Sequence, residues 1–499
     1  MDLFELRRAG VVAHITSLPG PASYGTLGED ALRFVDFLAD CGFSIWQVLP
    51  LGPIHHTRSP YQCQSVHAGE PDLISFERDV LERAIEGPVP ELGSPASVDL
   101  TSVGPASGDL GALEAVRHAF DAQAPTAAHQ RYQAFRQETA AWLDDFALFR
   151  VARKHFDSAP WWEWPEPIRN RDQLALDALR DELSHGLELE RFAQYLFRRQ
   201  WLLLRDYARA KGVYLFGDLP IFVAHDSADV WAERRYFQLD RNGQPTVVAG
   251  VPPDYFSEDG QLWGNPLYNW PQHRTDGFRW WRRRVESQLA LYDLFRIDHF
   301  RGFAAHWEIP ASADTAKAGK WVTGPGRALF AALEAQFGAL PVVAEDLGVI
   351  TDDVIELRDT CGFPGMKIMQ FAFGGGDDNP YLPKHHIEDC VVYSGTHDND
   401  TTFGWFAALG EDERSAIKDV LGDDAVGAEA ILSAACESRA SLTMLPLQDV
   451  LRLGSEHRMN TPGSVEGNWQ WRFNWQQACS EHTRRLHAQL RRCDRLAGH

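Results

Sequence analysis

Positive charge is scarce in this sequence. Over 499 residues, 48 Lys and Arg stand against 70 Asp and Glu, which leaves a formal net charge of −22. A surface that acidic repels phosphate backbones and excludes nucleic acid as a natural partner. It also disfavours an anionic substrate unless the site is locally basic. Only 7 of the 48 basic residues are Lys, a compositional skew to which no function attaches. Cysteine is sparse as well. Cys41, Cys63, Cys361, Cys390, Cys436, Cys479 and Cys493 are odd in number and scattered, with no C-x-x-C spacing. Neither a disulfide framework nor a zinc site is expected. The opening MDLFELRRAGVV lacks the apolar core of a secretion signal. No stretch approaches the roughly 20 apolar residues that span a bilayer. These absences predict a soluble, cytoplasmic protein with no membrane partner.

Other signals are also weak. The pairs His55–His56 and His385–His386 are adjacent, so their side chains diverge rather than converge on a metal. The run 374–376 with Asp377 and Asp378 reads as a solvated loop, and 323–326 as a turn into a helix rather than a phosphate cradle. Ser394 and His397 lack the setting of a nucleophile elbow. No metal and no cofactor is expected.

With 44% apolar residues, the chain has ample material for a large core. Eight short apolar, β-rich runs recur, at 11–15, 45–51, 213–221, 294–300, 341–346, 366–371, 390–396 and 442–447. Most are continuous rather than alternating, as parallel strands covered by helices should be. Between them lie amphipathic segments, including 29–41, 187–211, 278–292, 326–337, 353–361 and 411–421. This alternation predicts an α/β fold over residues 1–499, a (β/α)8 TIM barrel with inserted, mainly helical subdomains. Residues 52–212 form the expected helical insertion between strands 2 and 3. Residues 224–277, rich in Pro, Gly and aromatics, read as a long aromatic loop over the active site. About 50 residues follow the eighth run, too few for a C-terminal β-sandwich.

The chemistry shows in position. Strand ends deliver Asp218 in LFGDLP, Asp298 in LFRIDHFRG, Glu345 in VVAEDLG and Asp398 in YSGTHDND, and Asp449 follows the eighth run. Burying a carboxylate at an apolar strand end is costly unless something compensates it. Several on one barrel face point to glycosidic chemistry, which needs two carboxyl groups flanking the scissile bond. Asp298 and Glu345 end consecutive strands. Neighbouring strands lie about 4.8 Å apart, which suits the roughly 5–5.5 Å carboxyl separation of a retaining enzyme. Asp298 then reads as nucleophile and Glu345 as acid/base. Arg296, two residues before Asp298 and on the same side of the pleat, would keep that nucleophile ionised. His299 and His397, each beside such an Asp, could donate to sugar hydroxyls.

These residues sit in recognisable surroundings. RIDHFRG (296–302), AEDLG (344–348) and GTHDNDTT (395–402) resemble the catalytic motifs of the α-amylase superfamily. More narrowly, SPYQ (59–62), GDLPIFVAHDSADVW (217–231), GVPPDYFSEDGQLWGNPLYNW (250–270) and RMNTPG with GNWQWR (458–472) resemble the 4-α-glucanotransferases, the amylomaltases or disproportionating enzymes. The likeness runs over nearly the whole chain. It implies transfer of α-1,4-glucan segments between maltooligosaccharides or starch, through a covalent glycosyl-enzyme. It further implies Asp398 as transition-state stabiliser, with Asp218, Arg296, His299 and His397 holding the sugar at the cleavage point. Ser59, Tyr61 and Asn460 would contact flanking sugars, and Asp254, Tyr255, Phe256, Gln261 and Trp263 would line the acceptor side. CQSVHAGEPDL after SPYQ departs from the pattern at Cys63, His67 and Glu70, as does His306 where Tyr is common. The alternative is a retaining α-glucan hydrolase. Transfer must beat water at about 55 M with an acceptor near ~10 mM, a preference of about 5 kcal/mol. The aromatic loop 251–263 fits that task, by binding the acceptor and excluding water.

Overall fold

The computed structural model describes residues 3–20, 23–89, 107–253, 257–464 and 466–496. Eight parallel strands form one sheet: Arg8–Val12, Ile45–Gln47, Tyr214–Pro220, Leu294–Asp298, Val342–Ala344, Gly365–Ile368, Cys390–Tyr393 and Leu442–Pro446. Neighbours in sequence pair from the first strand to the fifth and from the sixth to the eighth, and the first pairs with the eighth, so the sheet curls into a nearly closed barrel. The one gap in the ladder lies between the fifth and sixth strands, where the Ala344 N–H donates to Pro364 O at 2.9 Å. All eight expected runs became barrel strands. The first sits three residues earlier than expected, because Ile15–Ser17 has already turned into a 3-10 helix.

The helices follow from their sequences. In Glu29–Cys41, Ala31, Phe34, Val35, Leu38 and Cys41 recur at helical spacing and are buried on one face. Glu29 and Asp30 oppose the dipole at its start. Gly42, at φ 88°, supplies the left-handed cap that ends it. The 27-residue helix Ser184–Ala210 is the longest described and carries two glutamine brackets. Gln194 exchanges two 2.8 Å hydrogen bonds with the Gly69 backbone. Gln200 does the same with Ser75, at 2.8 and 2.9 Å. They pin the segment that runs on from Tyr61. Between the second and third strands the described chain is mainly helical, with Arg78–Ile85, Ser107–Gln123, Thr126–Glu138, Leu143–His155 and Gln173–Glu182 preceding that helix.

One element differs from the sequence reading. Residues 224–277, read as loop, contribute two strands to a four-stranded antiparallel sheet in the order Gln261–Pro266, Val247–Val251, Ala305–Pro310, Lys320–Thr323. At the barrel's opposite end Arg495 is fully buried. Its guanidinium donates to the carbonyls of Cys436 (2.6 Å), Ser438 and Ala440 (2.7 Å each), and Arg8 (2.9 Å). No described helix is long and apolar enough to cross a membrane.

Candidate active site

The carboxylates gather at the C-terminal ends of the barrel strands, where the loops are free to vary. Arg296 and Asp298 alternate with apolar Phe295 and Ile297 on the fourth strand, so the polar pair faces the barrel and the apolar pair faces the helices. The Arg296 guanidinium forks onto Asp218 of the third strand, both contacts 3.0 Å. It also reaches Asp298 Oδ1 at 2.8 Å and the Tyr61 hydroxyl at 3.2 Å. The Tyr61 O–H donates to Asp218 Oδ2 at 2.7 Å. Burial raises the Tyr61 phenol well above its usual range, with the Asp218 charge adding to the effect, so it stays protonated and can donate.

Glu345 is bound to the same turn through backbone. Its N–H donates to Ile297 O at 3.0 Å. Its Oε2 accepts the N–H of His299 at 2.6 Å, and its Oε1 accepts that of Leu347 at 2.9 Å. His299 adopts φ 52°, ψ 49°, a left-handed conformation costing a non-glycine residue about 1–3 kcal/mol. That strain aims its N–H at Glu345. The His299 ring is buried, 4.8 Å edge-on to Trp263 and 6.3 Å from Phe222. Burial pulls it down to about 3, so it is neutral.

Burial pushes Asp298 above the ordinary carboxylate range. Arg296 opposes that, and Asp218, Glu345 and Asp398 add to it. Glu345 is raised too, first by burial, against Arg296 and its two backbone donors. One guanidinium among four carboxylates leaves negative charge uncompensated, and both Asp298 and Glu345 are pushed upward. Arg296 touches Asp298 directly, and 30% of that side chain stays open to the cleft. That contact and that exposure both favour the ionised form of Asp298.

Asp398 sits in the loop after the seventh strand. Its Oδ1 accepts from Asn460 Nδ2 at 2.7 Å and lies 3.4 Å from His397 Nε2. The His397 ring stacks on Tyr61 with centroids 5.3 Å apart, which links Asp398 to the Arg296 cluster. Burial lowers the His397 pKa. Ser59 Oγ accepts the Tyr61 N–H at 3.4 Å, and Gln261 Oε1 accepts from Trp263 Nε1 at 3.0 Å. Asp254, Tyr255 and Phe256 lie outside the described residues.

Asp449 does not join the cluster. It is buried, accepting from Ser394 Oγ, Thr402 N and Thr402 Oγ1, each at 2.6 Å, and so ties the seventh strand's end to the helix that follows. Trp469 was overlooked in the sequence. Its ring lies 6.0 Å from Tyr61 and 5.9 Å from His397. Its motif, GNWQWR, was the available signal. A groove opens beside it, lined in part by Tyr24, Arg58, Arg150 and Arg472. Among the described residues, no group of three or more His, Cys, Asp or Glu is placed to hold a metal ion.

Residues 13–478 match the family model described as 4-alpha-glucanotransferase. The chain is 46% identical to the 4-alpha-glucanotransferase of Thermus thermophilus, over 99% of this chain and 100% of that one. It is 44% identical to the chloroplastic/amyloplastic 4-alpha-glucanotransferase of Arabidopsis thaliana, over 94% and 81%. Among solved structures it resembles the amylomaltase from Streptococcus agalactiae in complex with acarbose. The TM-score is 0.92 at 36% identity, covering 98% of this chain and 100% of that one. A nearly closed eight-stranded barrel and a family match over residues 13–478 lead to one assignment: the chain belongs to the 4-α-glucanotransferases of glycoside hydrolase family 77, the amylomaltases, which transfer α-1,4-glucan segments.

Proposed function

We propose that this 4-α-glucanotransferase works by retention, with Asp298 as nucleophile and Glu345 as acid/base. The observation that carries this is a shared turn. Asp298 is gripped by Arg296 at 2.8 Å, and the N–H of the very next residue is bound to the Glu345 carboxylate at 2.6 Å. Two carboxyl groups held to one point of the barrel mouth suit a double displacement. Glu345 gives its proton to the glycosidic oxygen, and the C1–O bond breaks with its electrons on the departing glucan. Asp298 Oδ2, the oxygen not held by Arg296, bonds to C1. The 4-hydroxyl of an acceptor then loses its proton to Glu345 and displaces Asp298 from C1, which restores the original configuration.

Asp398, oriented by Asn460, stabilises the oxocarbenium-like charge as it develops. Asp218, Tyr61, Arg296, His299 and His397 fix the sugar at the cleavage point, with Ser59 behind Tyr61. Trp263 offers an aromatic plate against His299, and Asp254, Tyr255, Phe256 and Gln261 belong to the same acceptor-side stretch. The Streptococcus agalactiae relative was solved in complex with acarbose. We assign α-glucans and maltooligosaccharides as the ligands of this cleft. All seven cysteines are free thiols, which supports work in a reducing cytoplasm.

The test is covalent trapping. A 5-fluoro-α-glucosyl fluoride should add one glycosyl mass to the parent protein, and peptide mapping should find it on Asp298. Asp298→Asn should take up none. A label on Glu345, or an undiminished adduct in D298N, would overturn the assignment.

A further inference from the structure

The loop that follows Glu345 is tethered at two points. The Leu347 N–H donates to Glu345 Oε1 at 2.9 Å. The Val349 carbonyl accepts from Arg301 Nη1. Arg301 comes three residues after Asp298, in the turn Phe300–Phe303, and is itself buried. Its guanidinium lies over the Trp321 ring, with Cζ 3.9 Å from the centroid, and its Nε is buried with no hydrogen-bond partner among the described residues. The stack on Trp321 therefore aims the remaining donors at Val349, since nothing bonded to Nε does so. Trp321 lies on the edge strand Lys320–Thr323 and packs edge-on against Trp307 at 5.2 Å. Trp307 in turn is anchored by its Nε1–H to Ala316 O at 2.9 Å.

The small antiparallel sheet thus meets the catalytic turn twice, through Trp263 on one outer strand and Trp321 on the other. We propose that Arg301 and Trp321 are positioning residues for the known reaction: together they bracket the Asp298 turn to the 347–349 loop and so set where the Glu345 carboxyl stands. Neither residue is assigned a contact with the sugar. Their effect passes through Val349 and Leu347 to Glu345, so the inference rests on the acid/base role proposed above. Without the bracket, the Leu347 amide can slide, and Glu345 loses the donor that fixes Oε1. A slip of about 1 Å in a reacting group costs on the order of 100-fold in rate.

The experiment separates steps that need Glu345 from steps that do not. Maltotriose disproportionation needs a proton delivered to the leaving oxygen and another removed from the acceptor. With α-maltosyl fluoride as donor and azide as acceptor, fluoride leaves unprotonated and azide attacks without a base. In R301M and W321A we expect maltotriose turnover to fall about 10- to 100-fold. Fluoride release in azide should stay within about threefold of the parent, which also shows that the barrel is folded. W321F, which keeps an aromatic plate, should recover most of the loss. Equal losses on both donors, or no loss on maltotriose, would overturn the proposal. E345Q is the control for the underlying reading. If it too fails to spare the fluoride–azide reaction, the acid/base role falls. If E345Q spares it and the Arg301 and Trp321 variants do not, only the bracket falls.

Discussion

Removing the Arg296 guanidinium tests the electrostatic core of the site. Arg296 is buried, and its fork satisfies Asp218, whose side chain has no exposure, along with Asp298 at 2.8 Å. At about 4 Å between charges and an effective dielectric constant near 20, one such interaction is worth about 4 kcal/mol, or roughly three pKa units. In Arg296→Met, Asp298 should hold its proton about 1000 times more tightly, so kcat/KM for maltotriose should fall about 1000-fold. Arg296→Lys keeps the charge but not the planar fork. It cannot serve Asp218 bidentately and Asp298 at once, so a loss of about 10- to 100-fold is expected. Stability should fall as well. An orphaned buried Asp218 costs about 3–5 kcal/mol, visible as a lower Tm. D218N/R296M removes the orphan and should regain most of the Tm, yet only part of the activity, because the contact with Asp298 is still missing. Initial rates of glucose release from maltotriose and thermal melts suffice. R296M retaining more than a tenth of the parent kcat/KM would refute the argument.

Three further outcomes follow from the same geometry. Asp218→Asn removes a negative charge that raises Asp298 and frees Arg296 for the Asp298–Glu345 pair, so the kcat/KM–pH profile should move to lower pH. A shift to higher pH in the profiles would contradict the cluster's electrostatics. His67, beside Ser287 at 2.8 Å, is pulled by burial down to about 3. Its folded value lies below the ordinary one of about 6.5, so the unfolded chain binds more protons in between. The His67 contribution is therefore complete above about pH 6.5 and lost as pH falls, at about 1.4 kcal/mol per unit. His67→Gln should flatten the fall of Tm between pH 6.5 and 4.5, and an unchanged slope would be inconsistent with a neutral buried ring. Trp263→Ala removes the plate against His299, worth about 0.5–1.5 kcal/mol, and should raise hydrolysis relative to transfer several-fold. Transfer conserves the number of reducing ends and hydrolysis adds to it, so counting reducing ends in maltotriose digests measures the ratio. No increase would argue against Trp263 as an acceptor plate.

The barrel was legible because its strands are short, continuous apolar runs. Cys390–Tyr393 and Leu442–Pro446 are buried at every position, and only helices on one side and barrel interior on the other permit that. The small sheet was not legible. Gln261–Pro266 and Lys320–Thr323 are short, mixed in polarity and exposed over much of their length, and the first contains Gly and Pro. Pairing with Val247–Val251 and Ala305–Pro310 makes them strands, and periodicity carries no trace of a partner. Asp218, Arg296, Asp298 and Glu345 could be read because strand ends fix them. Asp449 has the same sequence appearance and serves a different purpose. Its neighbours Ser394 and Thr402 come from the chain 47 to 55 residues earlier. The Arg301–Trp321 stack joins an unremarkable motif arginine to an edge-strand tryptophan, and only the folded chain brings them together.

The Arg495 clasp at the barrel floor bears on how the protein can be handled. It fastens the last helical turn to the backbone of Arg8, and Arg7 adds a contact to Cys493 O at 3.3 Å. Arg7, Arg8, Cys493 and Arg495 thus lie side by side, at the end of the barrel away from the carboxylate cluster. A tether or fused binding module attached beside these residues would hang below the barrel and leave the mouth clear for polymers. An enzyme anchored that way to a starch granule or a bead should still reach long chains, and joining the chain there with a short linker should let new ends be opened elsewhere.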